Sequence, residues 1–164
     1  SLSACKRAGI KSFRGNLGLY DWEPLKKLDV NHILKRGQRF LDSFFPISHH
    51  QAFDLKMVME SNPYNIPCSR YLRPYSRKLR FLEPFKVRRM MSDMTHAAKN
   101  GLVYHIYFHP HNFGVNLKKN MGMLESIIGH FKVLEKKYGM KSVNMKEVAE
   151  LAEACKLNET CNLG

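Results

Sequence analysis

The apolar positions of this chain alternate between helical spacing, three and four residues apart, and short apolar runs. Two of the helical stretches stop at Gly101 and Gly139, and glycine favours the left-handed turn that ends a helix. Short apolar runs between helices favour an α/β fold over all-α or all-β folds. The pattern predicts helices over residues 2–8, 30–45, 87–98, 123–138 and 144–155, and strands over residues 10–13, 69–72, 102–109 and 141–143.

Two stretches interrupt this alternation. Residues 46–82 contain four prolines before residue 79 and are predicted to form a long irregular insertion. Residues 157–164 are predicted to be a flexible tail. The remainder, within residues 1–156, is predicted to be one domain. Its strands are too few to close a barrel, so the pattern indicates an incomplete one.

The charge of the chain is strongly positive, with 27 Lys and Arg against 14 Asp and Glu, or +13 in all. Eight basic residues lie between Arg70 and Arg89, opposed only by Glu83. Such a chain can bind nucleic acid, an acidic membrane surface or an anionic polymer; the simpler interpretation is a solvated basic face on an enzyme. There is no helix-turn-helix signature, zinc-finger spacing or aromatic RNA-binding box, so specific nucleic-acid binding is not expected.

The four cysteines, Cys5, Cys68, Cys155 and Cys161, form no metal-type C-x-x-C pair. Being few and scattered, they favour a reducing compartment, and we expect a cytoplasmic location. No apolar run approaches the about 20 residues that a membrane-spanning helix needs, so no transmembrane segment is expected.

The longest predicted strand and the loop after it carry the most informative side chains. Side chains alternate between the faces of a strand, so His105, Tyr107 and His109 share one face. His109 and His111 lie at the C-terminal end, where α/β barrels place their active sites, and Asn112 suits a loop that lines a pocket. These histidines admit catalytic, metal-binding and purely structural interpretations. Packing is favoured for His105 and function for His109.

A second candidate group follows the first predicted strand. Arg14 lies at the strand exit, where an arginine can hold a carboxylate through two hydrogen bonds. Trp22 lies just beyond, and its flat face can pack against the C–H groups of a sugar. By spacing alone, Arg14 is equally consistent with a surface residue and Trp22 with a core residue.

Four motifs carry a resemblance to a known family. They are SFRGN at 12–16, SRYLRP at 69–74, YFHPHNFG at 107–114 and YGMKSVNM at 138–145. On these motifs, residues 8–151 resemble the C-terminal half of the polysaccharide deacetylases of carbohydrate esterase family 4, which contain the NodB homology domain.

The resemblance implies a partial (β/α) barrel of the polysaccharide deacetylase type, with its N-terminal strands missing. Members of the family bind a divalent metal, usually zinc, and remove acetyl groups from N-acetylated sugars. His109 resembles the general acid of the family, and Arg14 resembles the arginine that steadies the catalytic aspartate. Contacts with substrate are expected from Tyr107, Trp22, His111 and Asn112.

The chain departs from the family in three ways. Gly15 and Asn16 replace the double proline that commonly follows the arginine, and Tyr107 replaces a leucine of the acetyl pocket. No motif matches those that supply the catalytic aspartate and the Asp-His-His metal ligands. We expect these ligands upstream of Ser1, and we expect no metal site in this chain alone.

The expected function is therefore that of the C-terminal portion of a metal-dependent deacetylase. Its substrate would be an N-acetylated glycan of the cell envelope, and its partner the missing N-terminal half of the domain. The isolated chain is expected to be inert. The alternatives are a non-catalytic sugar-binding domain of the same fold and a basic nucleic-acid-binding module.

Overall fold

The computed structural model describes residues 2–15, 34, 37–38 and 40–158. These residues form a mixed α/β structure that is mostly helical, with few strands. The strands are β1 (Ser12–Phe13), β2 (Tyr64–Asn65), β3 (Arg70–Tyr71) and β4 (Ile106–Tyr107). The helices are α1 (Leu2–Arg7), α2 (Leu55–Met59), α3 (Glu83–Lys99), α4 (Pro110–Phe113), α5 (Leu117–Tyr138) and α6 (Met145–Asn158).

The strands form two parallel pairs, β1 with β2 and β3 with β4. The segment from β2 to β3 connects the two pairs. Its first part donates to β1, through Ile66 N to Phe13 O at 2.9 Å, and its second part donates to β4, through Leu72 N to Tyr107 O at 2.9 Å. Parallel strands with intervening helices fit the predicted α/β class, and the partial barrel stays a prediction.

The helices pack into two hydrophobic cores. One joins α2 and α6 around Val58 and Ala152, both fully buried. The other joins α3 and α5 to the sheet, and the methionines of α3 contribute Met90 and Met94 to it. The methionine stripe is therefore core packing, as its spacing predicts.

The helix ends follow local sequence signals. Gly101 and Gly139 adopt left-handed φ angles of 62° and 69°, which suit glycine and end α3 and α5. Asn144 Oδ1 accepts from Glu147 N at 3.1 Å, and Asn144 N donates to Glu147 Oε2 at 2.6 Å. This reciprocal pair opens α6 as the sequence predicts.

Other boundaries differ from the prediction. The strand predicted over residues 141–143 is wrong, because this stretch precedes α6 without pairing to any strand of the described residues. Residues 46–82 are not irregular throughout, since they contain α2, β2 and β3. Helix α6 continues to residue 158, so the tail prediction is wrong at residues 157 and 158. Residues 159–164 lie outside the described part, as does much of the predicted helix over residues 30–45.

A buried ionic network ties α3 to the sheet. Asp93 on α3 is fully buried and accepts a hydrogen bond from Arg70 Nε at 2.8 Å. Arg89 Nη1 lies 3.1 Å from the other carboxylate oxygen of Asp93, and His50 Nδ1 donates to that oxygen at 2.9 Å. Arg70 also donates to the backbone oxygen of Asp42 at 3.1 Å.

This network corrects the interpretation of the basic stretch. Arg70, Lys86 and Arg89 are buried, with exposures of 9%, 3% and 5%. They face acidic partners, Lys86 pairing with Glu83. Only part of the basic stretch between Arg70 and Arg89 is therefore exposed to solvent.

Two findings bear on location. Within the described residues, no helix is long and apolar enough to cross a membrane. Cys155 is disulfide-bonded, whereas Cys5 and Cys68 are free thiols. The compartment stays a prediction.

Candidate functional site

Of the strand predicted over residues 102–109, only β4 (Ile106–Tyr107) forms a ladder, but side chains still alternate between two chemically different faces along residues 104–109. Tyr104, Ile106 and Phe108 pack against the core between α3 and α5, as predicted. Tyr107 and His109 lie on the opposite face. The parallel register aligns Tyr71 of β3 with Tyr107, so a second aromatic ring joins this face.

Five aromatic or cationic groups converge there. The guanidinium carbon of Arg14 lies 4.0 Å from the ring centroid of Tyr107. The Tyr71 and Tyr107 centroids are 4.9 Å apart, and Tyr71 lies 5.5 Å from His109. His111 stacks on His109 with centroids 5.5 Å apart. We call the set of Arg14, Tyr71, Tyr107, His109 and His111 the aromatic–histidine cluster.

The loop after β4 connects to the same cluster. Pro110 begins the short helix α4, whose N-cap is His109. A proline in the first turn suits a helix start, because its fixed φ fits the helix and the first N–H groups have no helical partner. From this helix, Asn112 Nδ2 donates to Tyr71 Oη at 3.3 Å. The short helix after His109 thus places Asn112 in contact with the tyrosine pair.

The cluster is accessible to a ligand. His109, His111 and Arg14 are exposed, and Tyr107 and Asn112 are half-buried. An exposed imidazole can exchange a proton with a bound substrate near neutral pH. The ring faces of Tyr71 and Tyr107 offer apolar surface beside hydroxyl groups, a combination that suits a sugar.

His105 has a different environment from His109. Its Nδ1–H donates to the Pro67 carbonyl oxygen at 3.0 Å, so the ring is fixed against the neighbouring segment. Burial lowers the pKa of His105, which favours the neutral ring. These contacts support the packing role that its position in the strand predicts.

Two groups stay protonated at neutral pH, Cys68 beside the cluster and Tyr107 within it. Burial raises the pKa of the Cys68 thiol to about 12, so this cysteine is not a thiolate nucleophile at neutral pH. Burial, followed by the nearby Cys68, raises the pKa of Tyr107. The Tyr107 hydroxyl therefore remains neutral and can donate a hydrogen bond.

The donor set does not by itself form a metal site. His109 and His111 supply two imidazoles, but their rings are nearly parallel, 25° apart, and share a stacking contact. In the part of the chain that the structure describes, no group of three His, Cys, Asp or Glu residues is arranged to hold a metal ion. A zinc centre of the family type needs three protein ligands, which these residues do not provide.

The structure unites most of the sequence-predicted site. Arg14, Tyr107, His109, His111 and Asn112 lie together, although Arg14 comes from a different strand. Trp22 lies outside the described residues.

Sequence analysis missed Tyr71 and Arg73, whose guanidinium carbon lies 6.0 Å from the Tyr71 ring centroid. Alternation along the predicted strand at 69–72 was the available signal, since it separates Tyr71 and Arg73 from Arg70 and Leu72.

Comparisons with protein-family models, with curated proteins and with solved structures find no match for this chain.

Proposed function

We propose that this chain is the proton-donating, substrate-contacting part of a metal-dependent carbohydrate deacetylase. The observation that carries the proposal is the convergence of Arg14, from the end of β1, with His109, from the end of β4, around one tyrosine pair. The two residues belong to separate motifs of the family resemblance. Their proximity is what a shared site requires.

In the proposed reaction, His109 acts as general acid. Its protonated ring gives a proton to the amide nitrogen of the substrate as the C–N bond breaks, which releases a free amine, while water supplies the oxygen of the acetate. Arg14 is exposed beside Tyr107, so its guanidinium can hold the carboxylate of a general base. That base and the divalent metal are proposed to come from the upstream half, where the metal would polarise the acetyl carbonyl.

The remaining cluster residues are proposed to bind the sugar. The rings of Tyr71 and Tyr107 would pack on its C–H groups, and the neutral Tyr107 hydroxyl would donate to the acetyl oxygen or a ring hydroxyl. Asn112 and His111 would line the opposite rim. The glycan would be N-acetylated, as the resemblance implies.

The test is acetate release from an N-acetylated oligosaccharide by the full-length protein. We expect His109→Ala to lower kcat by about 10²- to 10⁴-fold, the range for loss of a general acid. The matched control is His105→Ala, which should lower the free energy of unfolding but leave kcat close to the wild-type value below the melting temperature. A His109→Ala enzyme with full kcat, beside a His105→Ala enzyme without it, would place the acid four residues earlier, at His105, and contradict the proposal.

The second candidate function is a non-catalytic sugar-binding domain, favoured by the half-buried pair of tyrosine rings, whose centroids are 4.9 Å apart. The same assay separates the two candidates. A binding domain would retain the oligosaccharide without releasing acetate, with or without added zinc.

A further inference from the structure

Large apolar side chains that do not belong to the aromatic–histidine cluster are exposed within residues 41–47 and 81–85. Phe81 is 73% exposed, Ile47 49%, Leu41 47%, Phe85 45% and Phe45 39%. The rings of Phe45 and Phe85 lie 5.8 Å apart, which joins the segment before residue 50 to the start of α3. Single exposed apolar residues are ordinary, but here two exposed rings are in contact, and the other three exposed apolar residues lie within four positions of them along the chain. Such a grouping favours an interaction surface.

Basic side chains surround these apolar groups. Arg77, Lys78, Arg80 and Arg88 are all exposed. The guanidinium carbon of Arg80 lies 4.7 Å from the Phe81 ring centroid, and Arg88 lies three residues after Phe85 on α3, hence on the same helix face. We call these four residues and the five apolar ones the aromatic–basic patch.

The patch carries no neutralising acid of its own. Glu83 is the one acidic residue in the sequence from 74 to 92, and it is buried and paired with Lys86. The exposed charge of this stretch is therefore all positive, and it belongs to a chain of net charge +13. A partner for this surface must be anionic and must also accept apolar side chains.

We propose that the aromatic–basic patch binds the surface of an anionic lipid membrane. Apolar side chains that project from a basic surface insert at the boundary between headgroups and acyl chains, while Arg and Lys contact the phosphates. Phe81, the most exposed ring, is the leading anchor. The protein then lies on the membrane through this patch, a role separate from the deacetylase function proposed above.

Two other occupants fit the surface less well. Single-stranded nucleic acid would stack its bases on aromatic rings, but Leu41 and Ile47 are aliphatic and offer no stacking face. A second copy of the chain would bring the same positive patch, and like charges oppose that contact.

The test measures co-sedimentation of the 164-residue chain with two kinds of vesicle. One is phosphatidylcholine alone and the other contains about one third phosphatidylglycerol, so that only the second is anionic. We expect binding to the anionic vesicles and a steep loss of binding with added salt. Phe81→Ala should weaken the partition about tenfold, because it removes a buried aromatic ring from the lipid boundary. The double variant Arg77→Ala/Lys78→Ala should weaken it about twenty- to thirtyfold.

Matched controls come from α5, where Val133 is 57% exposed and Lys136 and Lys137 are exposed. Val133→Ala and Lys136→Ala/Lys137→Ala should leave the partition within about twofold of the wild-type value, because these residues are not part of the aromatic–basic patch. Equal losses from both basic double variants, with none from Phe81→Ala, would mean general charge attraction and overturn the proposal. So would tight binding to oligo-dT that depends on Phe81 without any vesicle binding, or self-association that Phe81→Ala abolishes.

Discussion

Neighbouring residues of β3 enter opposite environments. Arg70 lies on the helix-facing side, 9% exposed, and its charge is held by Asp93 and by Asp42. Tyr71 lies on the other side, among Tyr107, His109 and Asn112, in a cluster open to solvent. Cationic residues contribute to both sides, but only one side leaves them accessible. The number of charges in a stretch therefore says little about function, whereas the location of their partners says much.

We expect the largest loss of stability from a substitution in the buried ionic network on the Arg70 side of β3. Asp93→Ala would remove the nearer of the two carboxylates that the buried Arg70 and Arg89 share and leave both charges to Asp42 alone. We therefore expect the free energy of unfolding to fall by about 3–5 kcal/mol. Urea denaturation followed by circular dichroism measures it. The control is Glu135→Ala, whose pair with Lys132 is exposed, and it should cost no more than about 1 kcal/mol. Equal losses for the two variants would show that the buried network contributes no more to stability than an exposed ion pair.

We expect a smaller loss of stability at Gly15, which follows β1 directly after Arg14. A Cβ atom at Gly15 would lie 2.8 Å from Asn65 Cγ, too close to be accommodated without movement. We expect Gly15→Ala to cost about 1–3 kcal/mol, as overpacking does. This contact also explains why glycine fits here in place of a bulkier residue.

A double-mutant cycle tests the contact between Gly15 and Asn65. The Asn65 Oδ1 atom is buried and has no hydrogen-bond partner within the described residues, so removing it should cost little. In the Asn65→Ala background, the effect of Gly15→Ala should shrink by at least half. If Gly15→Ala costs as much stability in the Asn65→Ala background as in the wild type, the steric strain comes from a residue other than Asn65.

The smallest effect concerns pH and His105. Burial lowers the pKa of His105 in the folded protein, so its protonation favours the unfolded chain. The contribution of the neutral ring to stability is fully present above the unfolded pKa of about 6.5 and is lost as the pH falls through the folded value. Because the ring is half-exposed, we expect less than about 1 kcal/mol, after discounting for solvent. His105→Gln should flatten the slope of unfolding free energy below pH about 6.5, and a steeper slope would contradict the assignment.

Sequence patterns predicted those features that a few neighbouring residues determine. The stripe of Met90 and Met94, the helix ends at Gly101 and Gly139, and the opening of α6 at Asn144 need no distant partner, and all are confirmed. The alternation along β4 also follows from the strand itself.

Features that depend on distant partners were predicted less well. The basic stretch contains Arg70 and Arg89, but their counter-charges on Asp42 and Asp93 lie outside it, so a count within the stretch cannot reveal their burial. The strand at residues 141–143 was wrong because a three-residue extended segment forms a strand only where another strand pairs with it. In the candidate site, Tyr71 was missed since its importance comes from its register with Tyr107.

We propose that sugar binds on the tyrosine face of β3 and β4. An NMR titration of the 164-residue chain with N-acetylglucosamine oligomers tests this proposal most directly, because the titration needs neither metal nor turnover. We expect shifts confined to the aromatic–histidine cluster and Asn112, with Tyr104, which packs into the core on the opposite face, unchanged as an internal control. Shifts centred elsewhere, or none at millimolar oligosaccharide, would contradict it.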